Sequence, residues 1–326
     1  MTASSGLRRT SVHKPAVAWF AAFGSVWVFL LVVLGAFTTS IGAGMVFPDW
    51  PLSNGSVNPE GWLTDIAMFA EHSHRLTAAV MSAITVVLAF WIHRTEERRW
   101  LRRLAWFAAA LVLVQALVGG LRVLLDHLHV EMVDTSVGRL FAMLHACLAQ
   151  LFVCSLFAVA ISSTRSWIER GVPVGPAVRR AGLICCALLF VQLAIAAVMR
   201  HSFAGLAIPT FPYSTADGHW LPEFWNFRIG IHFAHRVMAV VLAAAILWFA
   251  LRLRLDRGST VLLRSGASAI VALLSIQILL GAKIIWTSRS ADMTTAHVLV
   301  GALTLAVTFW LTWLAHRDLI EKPASA

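Results

Sequence analysis

Apolar residues recur along the chain in blocks of about 20 or more, each long enough to cross a hydrocarbon layer of about 30 Å. Broken at polar and Gly/Pro clusters, the pattern predicts eight helices, near residues 16–39, 67–92, 104–125, 137–161, 178–199, 229–251, 261–283 and 293–315. The expected fold class is therefore an all-α integral membrane protein.

Composition agrees: of 326 residues 59% are hydrophobic and 13% charged, against roughly 25% charged in soluble domains. The net charge of +10 would point to nucleic acid in a soluble chain. Here the basic residues sit between apolar blocks, where they set orientation, and nucleic-acid binding is set aside. Of 26 Lys and Arg, 18 lie in the tail before the first span, in the loops after the second, fourth and sixth, and in the C-terminal tail. Both termini are expected to be cytoplasmic. The others, Arg75, Arg122, Arg139, Arg200, Arg228, Arg236, Lys283 and Arg289, fall at the outer ends of helices. Two readings stand for them: an anionic ligand held at the outer face, or snorkelling and pairing with loop carboxylates.

Cys147, Cys154, Cys185 and Cys186 all lie inside apolar blocks and read as small hydrophobes. The short basic stretch before residue 16 is too brief for a mitochondrial presequence, and the apolar run after it too long for a signal-peptide core. An uncleaved first span in a bacterial inner membrane is expected.

The two halves superimpose at a constant offset of 161 residues: Gly44 falls on Gly205, Pro48 on Pro209, Pro51 on Pro212, His74 on His235 and Arg75 on Arg236. Gln115-Ala-Leu-Val-Gly119 matches Gln277-Ile-Leu-Leu-Gly281, and His145 matches His297 once the outer loop near 126–136 is shortened. The repeat predicts two tandem four-helix bundles, residues 1–165 and 166–326, related by a pseudo-two-fold axis along the membrane normal.

Each unit thereby offers one histidine near the outer end of its second span and one near that of its fourth, at similar depth. Two histidines facing each other across a bundle are what an axially ligated heme requires. The alternative is a set of hydrogen-bonded interhelical histidines. Zinc fits less well, because two histidines leave its remaining ligands unsupplied. His72 lies 200° of helix from His74, so only one of them can face the bundle, and the repeat selects His74. Arg75, Arg236, Arg139 and Lys283 are candidates for pairing with heme propionates. Glu71 lies one turn before His74 where the second unit has His232. It is either Arg75's ion-pair partner or a carboxylate that takes a proton or stabilises positive charge at a porphyrin edge. Asp126, His127, His129 and Glu131 read as a solvated outer loop.

Thr38-Thr-Ser-Ile-Gly-Ala-Gly44, Trp50-Pro-Leu-Ser-Asn-Gly55 and Glu71-His-Ser-His-Arg75, taken with His145, His235 and His297, resemble the heme A synthase family of cytochrome oxidase assembly proteins. The resemblance extends over all eight spans. It implies oxidation of a methyl group of heme O to the formyl group of heme A, with Glu71 as the catalytic carboxylate. It also implies that His74 and His145 hold the substrate porphyrin and that His235 and His297 hold a permanent heme B. Heme O synthase is an implied partner, and the oligomeric state is left open, a homo-oligomer included. Many bacterial members carry cysteine pairs in two outer loops, where this chain has Val46 and Ser53, and Ile208 and Ser214. Two competing classes share the bundle and its histidines: a di-heme electron-transfer cytochrome, and an assembly factor that handles heme without converting it.

Overall fold

The computed structural model describes residues 11–131 and 135–321, so Arg8, Arg9 and Lys322, which enter the orientation argument, lie outside it. Eight helices are long and apolar enough to span a membrane: α1 (Pro15–Ser40), α2 (Ile66–Thr95), α3 (Arg99–Leu124), α4 (Val137–Ser162), α6 (Pro176–His201), α7 (Phe227–Leu255), α8 (Val261–Trp286) and α9 (Ala291–Ala315). Two short helices, α5 (Arg165–Glu169) and α10 (Arg317–Ile320), lie on the face opposite the histidines. A two-stranded hairpin, β1 (His129–Val130) and β2 (Thr135–Ser136), lies in the outer loop between α3 and α4.

Local chemistry sets the helix starts. Proline stands in the first turn of α1 and α6, and the side chains of Asp65, Ser136, Asn226, Thr260 and Ser290 accept backbone N–H groups at the N-termini of α2, α4, α7, α8 and α9. Helices overrun the apolar blocks on the basic face: α3 begins at Arg99 and α7 continues to Leu255. The start of α3 and the end of α7 leave the hydrocarbon, where Arg102, Arg103, Arg252 and Arg254 can be solvated.

Helices α1 to α4 pack in sequence and close through an α1–α4 contact, and α6 to α9 do the same through α6–α9. The two rings meet through α1–α9, α4–α6 and α4–α9. Small residues allow close approach within a layer that offers no hydrophobic driving force: Gly24 lies against Ile84 and Met81, Gly182 against Thr312 and Phe249, and Gly266 against Leu311. Cys154, Cys185 and Cys186 are buried free thiols, as expected of small hydrophobes.

The basic face is tied by a buried ion network. Arg98 bonds Glu96 at 3.0 Å and Glu321 at 2.8 Å and donates to the Ser162 carbonyl, while the Trp167 indole N–H also donates to Glu321. Burial by itself raises the Glu96 carboxyl, but hydrogen bonds from Arg98, with that cation's charge and the Ser11 hydroxyl, bring it down to about 2.

Candidate heme-binding histidine layer

His74, His145 and His235 each lie eight residues after the first residue of their helix, and His297 six. At 1.5 Å per residue this is one layer ~9–12 Å below the helix starts. In each ring the two histidine-bearing helices, α2 and α4, or α7 and α9, stand on a diagonal, separated by the helices that pack against both. His74 and His145 are close enough that their charges interact, and so are His235 and His297.

Glycines carve the space for the imidazoles. A Cβ on Gly35 of α1 would lie 2.7 Å from His74 Cε1, and one on Gly119 of α3 would lie 2.9 Å from His145 Cε1. The contact of Gly281 in α8 with His297 Cε1 is looser, at 3.3 Å. Glutamines orient the rings. Gln115 Nε2 donates to the His145 carbonyl at 2.8 Å, and the Gln115 carbonyl lies 3.1 Å from His145 Nδ1. Gln192 Nε2 donates to the His235 carbonyl and lies 3.1 Å from its Nδ1, while Gln277 Nε2 is 3.3 Å from His297 Nε2. Buried polar atoms are left over in this layer: Nδ1 of His74 and His297, and Oε1 of Gln115, Gln192 and Gln277. One imidazole in each ring, His74 and His297, thus keeps an unpartnered nitrogen, and three of the four imidazoles lie against a glycine, which fits a planar group held between the paired histidines.

Above this layer each unit folds its first outer loop onto its second helix. Glu71 is buried, 4% exposed. Its Oε1 takes Arg75 Nη2 at 2.7 Å, and its Oε2 accepts the backbone N–H groups of Val46 at 2.7 Å and Phe47 at 3.1 Å. Arg75 also donates to the carbonyls of Asp49, Leu52 and Phe47. Partial burial pushes the Asp49 carboxyl up, but N–H bonds from Gly55 and Asn54 and the Arg75 charge outweigh it and hold it low. In the second unit Arg236 donates to the carbonyls of Ile208, Thr210 and Tyr213. His232 stands where Glu71 does: the Ile208 N–H approaches Nδ1 at 3.2 Å and Arg236 Nε approaches Nε2 at 3.3 Å.

This geometry differs from the expectation that Arg75 and Arg236 face propionates. Their guanidiniums turn into the loops, where carbonyls within reach take up their donors. Arg139 lies over the Phe203 ring at 5.0 Å and Lys283 is exposed. His72 is buried as well, but under the loop: Nδ1 is 2.9 Å from Ser53 Oγ, and Phe47 and Trp62 pack on its ring. Sequence reasoning used Gln115 and Gln277 only as repeat markers and passed over Gln192 and Gly35. A glutamine inside an apolar span was the available signal.

Fold and site together define a class: a multi-pass membrane protein with a half-buried histidine pair across each of two helical rings. Residues 18–309 match the family model described as Cytochrome oxidase assembly protein (COX15-CtaA), and the chain belongs to that family. It is 27% identical over 243 residues, 70% of this chain and 74% of the relative, to a protein named Heme A synthase from Halalkalibacterium halodurans. Proteins of the same name from Shouchella clausii and Listeria monocytogenes are 25% and 26% identical, each over at least 90% of this chain and 95% of the relative.

Proposed function

We propose that the protein is a heme A synthase, an oxidoreductase that converts a methyl substituent of heme O to the formyl group of heme A. The observation that carries this reading is the pairing of four histidines in one layer with a buried carboxylate in only one of the two halves, in a chain of this family. Residues 1–165 form the substrate unit, in which His74 and His145 would hold the iron of heme O. Residues 166–326 form the electron-transfer unit, with His235 and His297 on a resident heme B. When bound, the heme iron supplies the redox chemistry. Gly35 and Gly119 leave room for the ligand imidazoles, Gln115 and Gln192 fix their rotation, and the loop closed by Arg75 excludes water from above.

Glu71 brings the negative charge of the first unit to within one turn of His74, where positive charge developing at the porphyrin edge is stabilised. Its bonds to Val46, Phe47 and Arg75 hold that charge in place. A di-heme electron carrier is the second reading, favoured by the likeness of the two histidine pairs. The membrane is the bacterial cytoplasmic membrane with both termini inside, and heme O synthase is the partner that delivers substrate. The deciding experiment is extraction and mass analysis of hemes from cells expressing heme O synthase with and without this protein. Appearance of heme A only when both are present supports the synthase. Unchanged heme O with a bound b-type spectrum supports the electron carrier.

A further inference from the structure

The outer ends of α3, α4 and α6 gather Arg122, Arg139 and Arg200 around His201. Arg200 is pinned across the ring boundary, donating to the Ala36 carbonyl at 2.8 Å and to Ser40 Oγ at 2.9 Å on α1. Arg122 differs. Among the described residues its guanidinium has no hydrogen-bond partner and no carboxylate within ion-pair distance, and the residue is half-buried. It lies over Gly44 of the first outer loop, so closely that a Cβ there would overlap Nη2.

The carboxylates that feel its charge are Glu71 and Asp126. Glu71 is spent on Arg75 and two loop amides, and Asp126 accepts the Ser136 hydroxyl. A half-buried guanidinium whose five donors meet no protein acceptor, with a second arginine nearby, is a ready partner for an anion. Neither nearby carboxylate supplies it, which points to an anion from outside the chain. The planar fork of arginine matches a carboxylate through paired N–H bonds. Arg122 lies one turn along α3 from Gly119, the residue packed against the His145 imidazole of the first ring.

We propose that Arg122 receives a propionate carboxylate of the porphyrin held between His74 and His145. The contact fixes the rotation of the macrocycle about the axis through its iron. It thereby selects which ring substituent comes to the Glu71 side, so that Arg122 is a specificity-determining residue. The proposal rests on the reading of His74 and His145 as axial ligands.

The test titrates ferric protoporphyrin IX and its dimethyl ester, in which the carboxylates are masked, into the purified full chain in detergent. The low-spin Soret change that disappears in His74→Ala is counted as first-unit binding. The free acid should bind roughly 10- to 100-fold more tightly than the ester, the range expected for a charge-assisted pair. Arg122→Gln should bring the two affinities together while leaving ester binding in place. Equal affinities in the unaltered protein, or an undiminished preference in Arg122→Gln, would overturn the assignment of Arg122 with the histidine reading intact. Absence of any His74-dependent low-spin change would instead overturn the histidine reading, and the proposal with it. Should Arg122→Gln fail to accumulate, Arg122→Lys keeps the charge but not the fork. A partial loss of preference supports the pairing, and a preference equal to that of the unaltered protein counts against it.

Discussion

Glu71 and His232 occupy equivalent positions in the two halves, and each joins an arginine one turn further along its helix to a backbone amide of its outer loop. The acceptors differ in capacity. A carboxylate takes Arg75 on one oxygen and two amides on the other, whereas a neutral imidazole has a single acceptor nitrogen for two approaching donors. The first loop is therefore held by a full set of bonds and the second by an incomplete one. Whatever chemistry Glu71 performs, it also shapes the roof over His74.

Glu71→Gln separates these roles in part. The amide keeps one acceptor oxygen but presents donors to either Arg75 or the loop amides, and it removes the charge. The protein should still reach the membrane and keep its second-unit heme. Heme A output should fall roughly 10²–10³-fold, with heme O or a partly oxidised alcohol accumulating. Heme extraction and mass analysis reads this directly, and near-normal heme A would leave Glu71 as a loop anchor only.

The glycine contacts predict a graded series. Gly35→Ala and Gly119→Ala place a methyl 2.7 and 2.9 Å from imidazole carbons, so His74 or His145 must shift. Gly281→Ala meets His297 at 3.3 Å, a contact that a few tenths of an ångström relieve. First-unit porphyrin affinity should drop in the first two variants, while Gly281→Ala should keep the b-type spectrum. Equal tolerance at all three sites would show that the rings are not held against these helices.

Among the described residues no carboxylate bonds His235 or His297, and the pair should hold a low-spin b-type heme in the purified protein. Replacing either with Ala should abolish that spectrum or turn it high-spin. An unchanged low-spin signal in His235→Ala would remove the second-unit assignment.

Much of this was legible before any coordinates. The eight spans follow from hydropathy alone, and the histidine layer follows from the internal repeat, with His74 on His235 at the 161-residue offset and His145 on His297 once the outer loop is shortened. Contacts made through space were not legible. Glu71 and Arg75 are four residues apart in any helix, but that Val46 and Phe47 come down onto the same carboxylate depends on how the loop folds back. The arginines show the limit most clearly. A long side chain at a helix end can turn to water, to a loop or to the interior, and the sequence does not separate Arg75, turned into the loop, from Arg122, half-buried and without an acceptor among the described residues. Helices α5 and α10 are too short to leave an apolar period and are held by tertiary bonds such as Arg317 to the Trp167 carbonyl.

The basic face supplies a prediction independent of heme. The Glu96 carboxyl is drawn from its ordinary value of 4.5 to about 2 in the folded protein. A carboxylate with a lowered folded-state pKa favours folding fully above its unfolded value. That contribution fades as the pH falls from about 4.5 toward about 2. The thermal midpoint of the detergent-solubilised protein should therefore decline across that window. Glu96→Gln removes one partner of Arg98 but leaves Glu321 and the Ser162 carbonyl, so the cost at neutral pH should be roughly 1–3 kcal/mol, below that of a fully unpaired buried charge. Its midpoint should also vary less with acid than that of the unaltered protein. If the two proteins lose stability in parallel on acidification, the acid-sensitive contribution lies in other carboxylates and not in the Glu96–Arg98 pair.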